Sequence, residues 1–229
     1  MVPAANPRRT RWSPVISRIL RAGAATEVVL TAGVIVIIAL ALPSTVRGAD
    51  IAAGQKKAEA CAACHGPDGN ATQPATPSLA GQPVFYTHWQ LVLFRDGRRR
   101  DPQMAPFAAP LTDADMTDLA AYYATQKPAP RAAATGDAET MSAGQRLAQL
   151  HHCASCHSPE LAGPRYTPHL GGQSYEYLAK QLREFKARTR GELDGATMTS
   201  AIQALGEQDI DILARYFATL PPATSAERR

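Results

Sequence analysis

Aromatic residues, cysteine and, over most of its length, net charge are scarce in this chain. Aromatics make up 6% of the 229 residues, and 43 residues are alanine, so the 45% hydrophobic content overstates the core available. Two small helical units fit that composition better than one large sheet-based domain. The overall charge is +4, but residues 1–49 hold Arg8, Arg9, Arg11, Arg18, Arg21 and Arg47 against Glu27, a net of +5 that leaves −1 on residues 50–229. A body without net positive charge speaks against nucleic acid as a partner. No strand alternation stands out, and no Ser/His/Asp set, phosphate loop or zinc-protease signature is found.

The basic N-terminus precedes an uncharged run from Val28 to Val46, 19 residues rich in Val, Ile, Leu and Ala. Roughly 20 apolar residues span a bilayer and a signal-peptide core has about 7–15, so the run stands between a retained anchor and a cleaved signal. Arg47 disfavours a cut after Ala49, and a cut after Ala41 falls inside the apolar run, which tilts the reading slightly towards an anchor. Either way the Arg cluster stays in the cytoplasm and everything after residue 49 is exported.

All four cysteines lie in two motifs, Cys61-Ala62-Ala63-Cys64-His65 and Cys153-Ala154-Ser155-Cys156-His157. This spacing reads as covalent attachment of c-type haem. Two thiols one helical turn apart reach two carbons on one haem edge, and the histidine that follows aims its imidazole at the iron. A shared structural zinc, redox disulfides and structural bridges are the competing uses. Two copies with no cysteine left over, inside a longer repeat, favour two covalently bound haems c.

That repeat relates Asp50–Gln126 to Ala138–Leu220. Ala53-Gly54-Gln55 matches Ala143-Gly144-Gln145, and Pro77-Ser78-Leu79-Ala80-Gly81-Gln82 matches Pro168-His169-Leu170-Gly171-Gly172-Gln173 at an offset of 91. Tyr86, Leu91 and Phe94 keep the same offset, whereas Met104 matches Met198, and Leu119, Ala120, Tyr122 and Tyr123 match their twins, at 94. One all-α fold is therefore used twice. Each copy is expected to hold a short helix from near Asp50 or Ser142 into the haem motif, a second over 83–95 or 174–188, a loop bearing the methionine, and a last helix. The last helix starts near Thr112, with Asp115 as a capping-box partner, or near Gly206, and ends before Pro128 or Pro221. The chain thus divides into an N-terminal signal or membrane anchor (1–49), a first domain (50–127), a Pro- and Ala-rich linker (128–139), a second domain (140–222) and a tail (223–229).

A sixth iron ligand is needed unless a position stays open. Met116 reads as core and Met141 has no twin, which leaves Met104, 39 residues after His65, and Met198, 41 after His157. Neutral thioether sulfur raises a haem's reduction potential. His65/Met104 and His157/Met198 ligation saturates both irons and points to electron transfer rather than catalysis. His88, His151, His152 and His169 read as surface or packing residues. The basic runs Arg95, Arg98, Arg99, Arg100 and Lys180, Arg183, Lys186, Arg188, Arg190 are either solvated faces or pair with haem propionates or an acidic partner.

The tandem motifs, the Pro-x-Leu-x-Gly-Gln segments, the methionines and the aromatic final helices resemble the two-haem class I cytochromes c of the cytochrome c4 type, over roughly residues 50–222. The resemblance implies two tandem cytochrome c domains whose haem propionates face each other across an interface. It implies that the Pro77 and Pro168 carbonyls accept a hydrogen bond from His65 and His157. It also implies electron transfer on the periplasmic side of a bacterial inner membrane, from a cytochrome bc complex or a dehydrogenase to a haem-copper oxidase. The electron-transfer subunit of a periplasmic dehydrogenase or larger respiratory complex is the alternative; a haem peroxidase or sulfur-compound oxidase comes third. Departures fall in the second copy. Ser158-Pro159-Glu160 replaces Gly66-Pro67-Asp68, and Met198 is followed by Thr199-Ser200 where Met104 is followed by Ala105-Pro106, so the second pocket is expected to be looser or differently tuned.

Overall fold

A computed structural model of the chain describes residues 48–131, 137–190 and 195–223. The expected signal or anchor helix and the middle of the linker lie outside the described residues. Among the described residues all regular structure is helical, and no helix is long and apolar enough to cross a membrane.

The first half contains α1 (Ile51–Ala58), which a tight 3-10 turn joins to α2 (Ala62–His65), then α3 (Val84–Arg95), α4 (Ala105–Ala108) and α5 (Asp113–Thr125). The second half repeats the set as α6 (Ala138–Leu150), α7 (Ala154–His157), α8 (Tyr175–Lys186), α9 (Ala196–Ala201) and α10 (Glu207–Thr219). Helices α3 and α8 have 12 residues each and α5 and α10 have 13 each, so the sequence offsets carry through to the backbone.

The caps explain the boundaries. Thr112 and Asp115 form the expected reciprocal pair at α5, with Asp115 N donating to Thr112 Oγ1 at 3.2 Å and Thr112 N to Asp115 Oδ2 at 2.9 Å. Gly206 has no side chain, so only half of that arrangement exists at α10, where Gly206 N donates to Asp209 Oδ2 at 2.7 Å. Helix α6 starts at Ala138 rather than near Ser142 because the Asp137 carboxylate caps it, accepting from Thr140 N at 2.7 Å.

In each half the first and last helices cross at a glycine. A Cβ on Gly54 would stand 2.2 Å from the Asp118 carbonyl oxygen, and one on Gly144 would stand 2.3 Å from the Tyr216 Cβ. The matched Ala-Gly-Gln triplets thus mark a close helix crossing. The first core gathers Ala58, Leu119, Tyr122 and Tyr123; the second is larger and includes Leu178, Leu182, Ile210, Leu213 and Phe217. Met116 is fully buried in α5, as the sequence suggested.

The halves are joined by two buried amides in mirror arrangement. Gln82 donates through Nε2 to the His169 carbonyl at 3.0 Å and accepts from His169 N at 3.0 Å. Gln173 donates to the Ser78 carbonyl at 2.8 Å and accepts from Ser78 N at 2.9 Å. Each glutamine therefore satisfies both backbone groups of one residue in the opposite half. Lys180 adds an ion pair to Asp101 at 2.8 Å.

Candidate haem centres

Helices α2 and α7 present the two Cys-x-x-Cys-His motifs. His65 and His157 are each 5% exposed. His65 Nδ1 lies 2.9 Å from the Pro77 carbonyl oxygen and His157 Nδ1 lies 3.1 Å from that of Pro168. Donation through Nδ1–H leaves the lone pair on Nε2, the ligating tautomer. The carbonyls are held in place by the neighbouring turns: Leu79 N donates to the Gly69 carbonyl at 2.7 Å and Leu170 N to that of Leu161 at 3.0 Å. Burial lowers both imidazole pKa values, against the raising effect of the carbonyl bonds, so the rings stay neutral and able to bind metal. Burial likewise pushes the Cys61 and Cys153 thiols up.

One cavity of about 1130 Å³ runs through both halves and is lined by all four cysteines, both histidines, Met104 and Met198. Its size exceeds the roughly 300–1,000 Å³ of an ordinary small-molecule pocket. The wall is mostly apolar, with Leu93, Phe94, Leu182 and Phe185 among its residues. Two of its residues, Ser78 and Thr87, have buried hydroxyls without a protein partner, and such groups normally find one. An apolar, flat-bodied group with polar edges, reached by two thiols and one imidazole in each half, suits these residues, and haem c has that chemistry. The cysteines form no disulfide. Among the described residues no three His, Cys, Asp or Glu side chains converge on a metal site.

The methionines were expected in loops, and the structure differs. Met104 is the N-cap of α4 and Met198 is the third residue of α9. They are equivalent all the same, for Met104 O accepts from Ala108 N at 3.0 Å and Met198 O from Ile202 N at 3.2 Å. A helical turn fixes each backbone beside the cavity more firmly than a loop would. His88, His151, His152 and His169 also border the cavity. His169 is buried and serves the interface through its backbone.

The second half departs from the first in its backbone. Gly66, directly after His65, has φ 78° and ψ 157°, and Ser158 holds the matching position after His157 at φ 67° and ψ 162°. That region is essentially restricted to glycine. Leu161 and Arg188 also have positive φ where the first half has Gly69 and Gly97. The Ser158 hydroxyl accepts from Ala162 N at 3.1 Å, a local bond that glycine could not supply.

Two pockets that each offer paired thiols, a carbonyl-oriented imidazole and a methionine define a protein with two covalently attached haems. The family model for cytochrome c matches residues 51–127 and 141–221. Cytochrome c4 of Pseudomonas aeruginosa is 40% identical over 75% of this chain and 89% of its own length. The crystal structure of reduced recombinant cytochrome c4 from Pseudomonas stutzeri superposes with a TM-score of 0.68 at 34% identity, covering 76% of this chain and 100% of that one. A thiosulfate dehydrogenase electron acceptor of Stutzerimonas stutzeri is 36% identical over 71% of this chain and 80% of its own length. The chain belongs to the cytochrome c family, as a two-haem electron-transfer protein of the cytochrome c4 type.

When bound, each haem supplies a one-electron ferric/ferrous couple. The cysteines of each motif would hold that group through thioethers, and the Pro77 and Pro168 carbonyls orient the His65 and His157 rings that would face it.

Proposed function

We propose that the chain is an exported two-haem electron carrier in which His65 and Met104 ligate one iron and His157 and Met198 the other. Pro77 and Pro168 act as hydrogen-bond acceptors that keep each histidine a strong ligand. The observation that carries this reading is that His65, Met104, His157 and Met198 all line one cavity, with each histidine bonded to a proline carbonyl. With both axial positions filled, the haems exchange electrons at their edges and leave small substrates no iron site, so the protein is a carrier and not an enzyme. The domains are residues 50–127 and 140–222, joined by 128–139, with 223–229 as a tail. Residues 1–49 direct export to the periplasmic side of the inner membrane and, if uncleaved, tether the carrier there. Electrons pass from a cytochrome bc complex or a dehydrogenase towards a haem-copper oxidase. Carbon monoxide tests the ligand assignment: the reduced native protein should not bind it, and binding at either haem would overturn full ligation.

A second reading is favoured by the likeness to a thiosulfate dehydrogenase electron acceptor. In it the immediate donor is a periplasmic sulfur-compound dehydrogenase, with the same haem chemistry and a different partner. Rapid mixing of the oxidised protein with such a dehydrogenase and thiosulfate separates the two. Reduction at rates comparable to those with a cytochrome bc complex supports the second reading, and failure to reduce counts against it.

A further inference from the structure

At the seam between the halves six polar side chains form a second mirror arrangement. They are Tyr86, Gln90 and Arg99 and their partners 91 positions on, Tyr177, Gln181 and Arg190. Arg99 donates to Gln90 Oε1 of its own half at 2.6 Å, and to Tyr177 Oη at 3.3 Å and Gln181 Oε1 at 2.8 Å of the other. Arg190 donates to Gln181 Oε1 of its own half, and to Tyr86 Oη at 3.3 Å and Gln90 Oε1 at 3.1 Å across the seam. Each guanidinium also lies over a phenylalanine of its own half, Arg99 4.4 Å from the Phe94 ring centre and Arg190 4.5 Å from that of Phe185.

Two cations are thus brought to the same two amide oxygens. Their hydrogen-bond acceptors are neutral amides and phenols, and Glu184, which acts on Arg99 electrostatically, makes its ion pair with Lys180. Like charges held this close together in a half-buried seam are costly unless anions accompany them. Both guanidiniums line the cavity between the haem-attachment motifs. Haem c brings carboxylates, and the planar guanidinium fork binds a carboxylate in bidentate fashion.

We propose that Arg99 and Arg190 act as one shared cationic bridge that receives a carboxylate from each haem and raises both reduction potentials together. A positive charge near an iron favours the reduced state. Because each guanidinium is bonded into both halves, its charge acts on both irons at once. Arg99 and Arg190 are therefore positioning and tuning residues. The inference rests on both haems lying in this cavity and is independent of the electron partners.

Spectroelectrochemical titration of the two-haem protein tests it, with intact mass confirming two haems in every variant. Arg99→Gln and Arg190→Gln should each move both one-electron steps to lower potential. Arg99→Lys, which keeps the charge, should leave the steps close to their native values, and Tyr86→Phe, which removes only a neutral hydrogen bond, should do the same. A shift of only one step in the Arg→Gln variants, or an equal shift in Tyr86→Phe, would overturn the proposal. Because two haems would still be counted, either result would leave the carrier reading intact. Should Arg99→Gln fail to fold, Arg190→Gln and the Arg99→Lys variant still decide the question, since loss of both native steps in Arg99→Lys would contradict a role based on charge.

Discussion

Single residues account for the difference between the two haem pockets. Ser158 sits in a glycine backbone conformation, at a cost of order 1–3 kcal/mol, partly offset by its bond to Ala162 N. Ser158→Gly should stabilise the second half by about 1 kcal/mol, read as a higher urea midpoint; an unchanged or lower midpoint would show that the hydroxyl bond outweighs the strain. The reverse change is not tolerated at Gly66, where a Cβ would stand 2.4 Å from the Asn70 carbonyl oxygen. Asp115 gives a pH dependence of known sign. Its bond to Lys57, helped by the α5 cap, lowers its pKa from 3.8 to about 2. A carboxylate with a depressed folded-state pKa stabilises above its unfolded value and loses that contribution as pH falls through its folded value. Acid unfolding should therefore steepen between about pH 4 and pH 2, and Asp115→Asn should flatten that limb; identical acid limbs would contradict the assignment.

At the scale of elements, α1 and α5 cross at Gly54, as α6 and α10 do at Gly144. Gly54→Ala should cost about 1–3 kcal/mol of stability, because the nearest atoms belong to backbone that cannot swing aside; thermal unfolding of the two-haem protein measures it. The helices themselves were legible in the sequence. Thr112 with Asp115 announced one start, and the 91- and 94-residue offsets fixed the twins. The start of α6 was misplaced because Asp137 lies within a stretch whose Pro and Ala content reads as linker. The methionine segments read as loops because Pro106, Thr197 and Thr199 obscure two helices only four and six residues long. The haem-attachment motifs were legible because their chemistry needs particular residue types at fixed spacing. The clamps Gln82 and Gln173 were not, and Arg99 and Arg190 read only as members of two basic runs with haem propionates among their possible partners, since a polar residue in a helix or loop carries no mark of what will stand opposite it. Only their recurrence at a shared offset hinted at a role.

Across the whole molecule the two halves form a single unit around one cavity, fastened by the paired glutamines. Gln82→Ala strands the N–H and carbonyl of buried His169, at about 1–3 kcal/mol for each unsatisfied group. Its unfolding should split into separate transitions for the two halves, followed by the Soret bands of the two pockets; a single transition at the native midpoint would show that the clamp contributes little. The central claim is that both irons are held by histidine and methionine and therefore only carry electrons. The most direct test is the intensity of the sulfur–iron charge-transfer band in the oxidised protein near neutral pH, compared among the native chain, Met104→Ala and Met198→Ala. The account predicts two equivalents in the native protein, one lost in each variant and none left in the double variant; a native band of one equivalent, or one that either variant leaves unchanged, would contradict it.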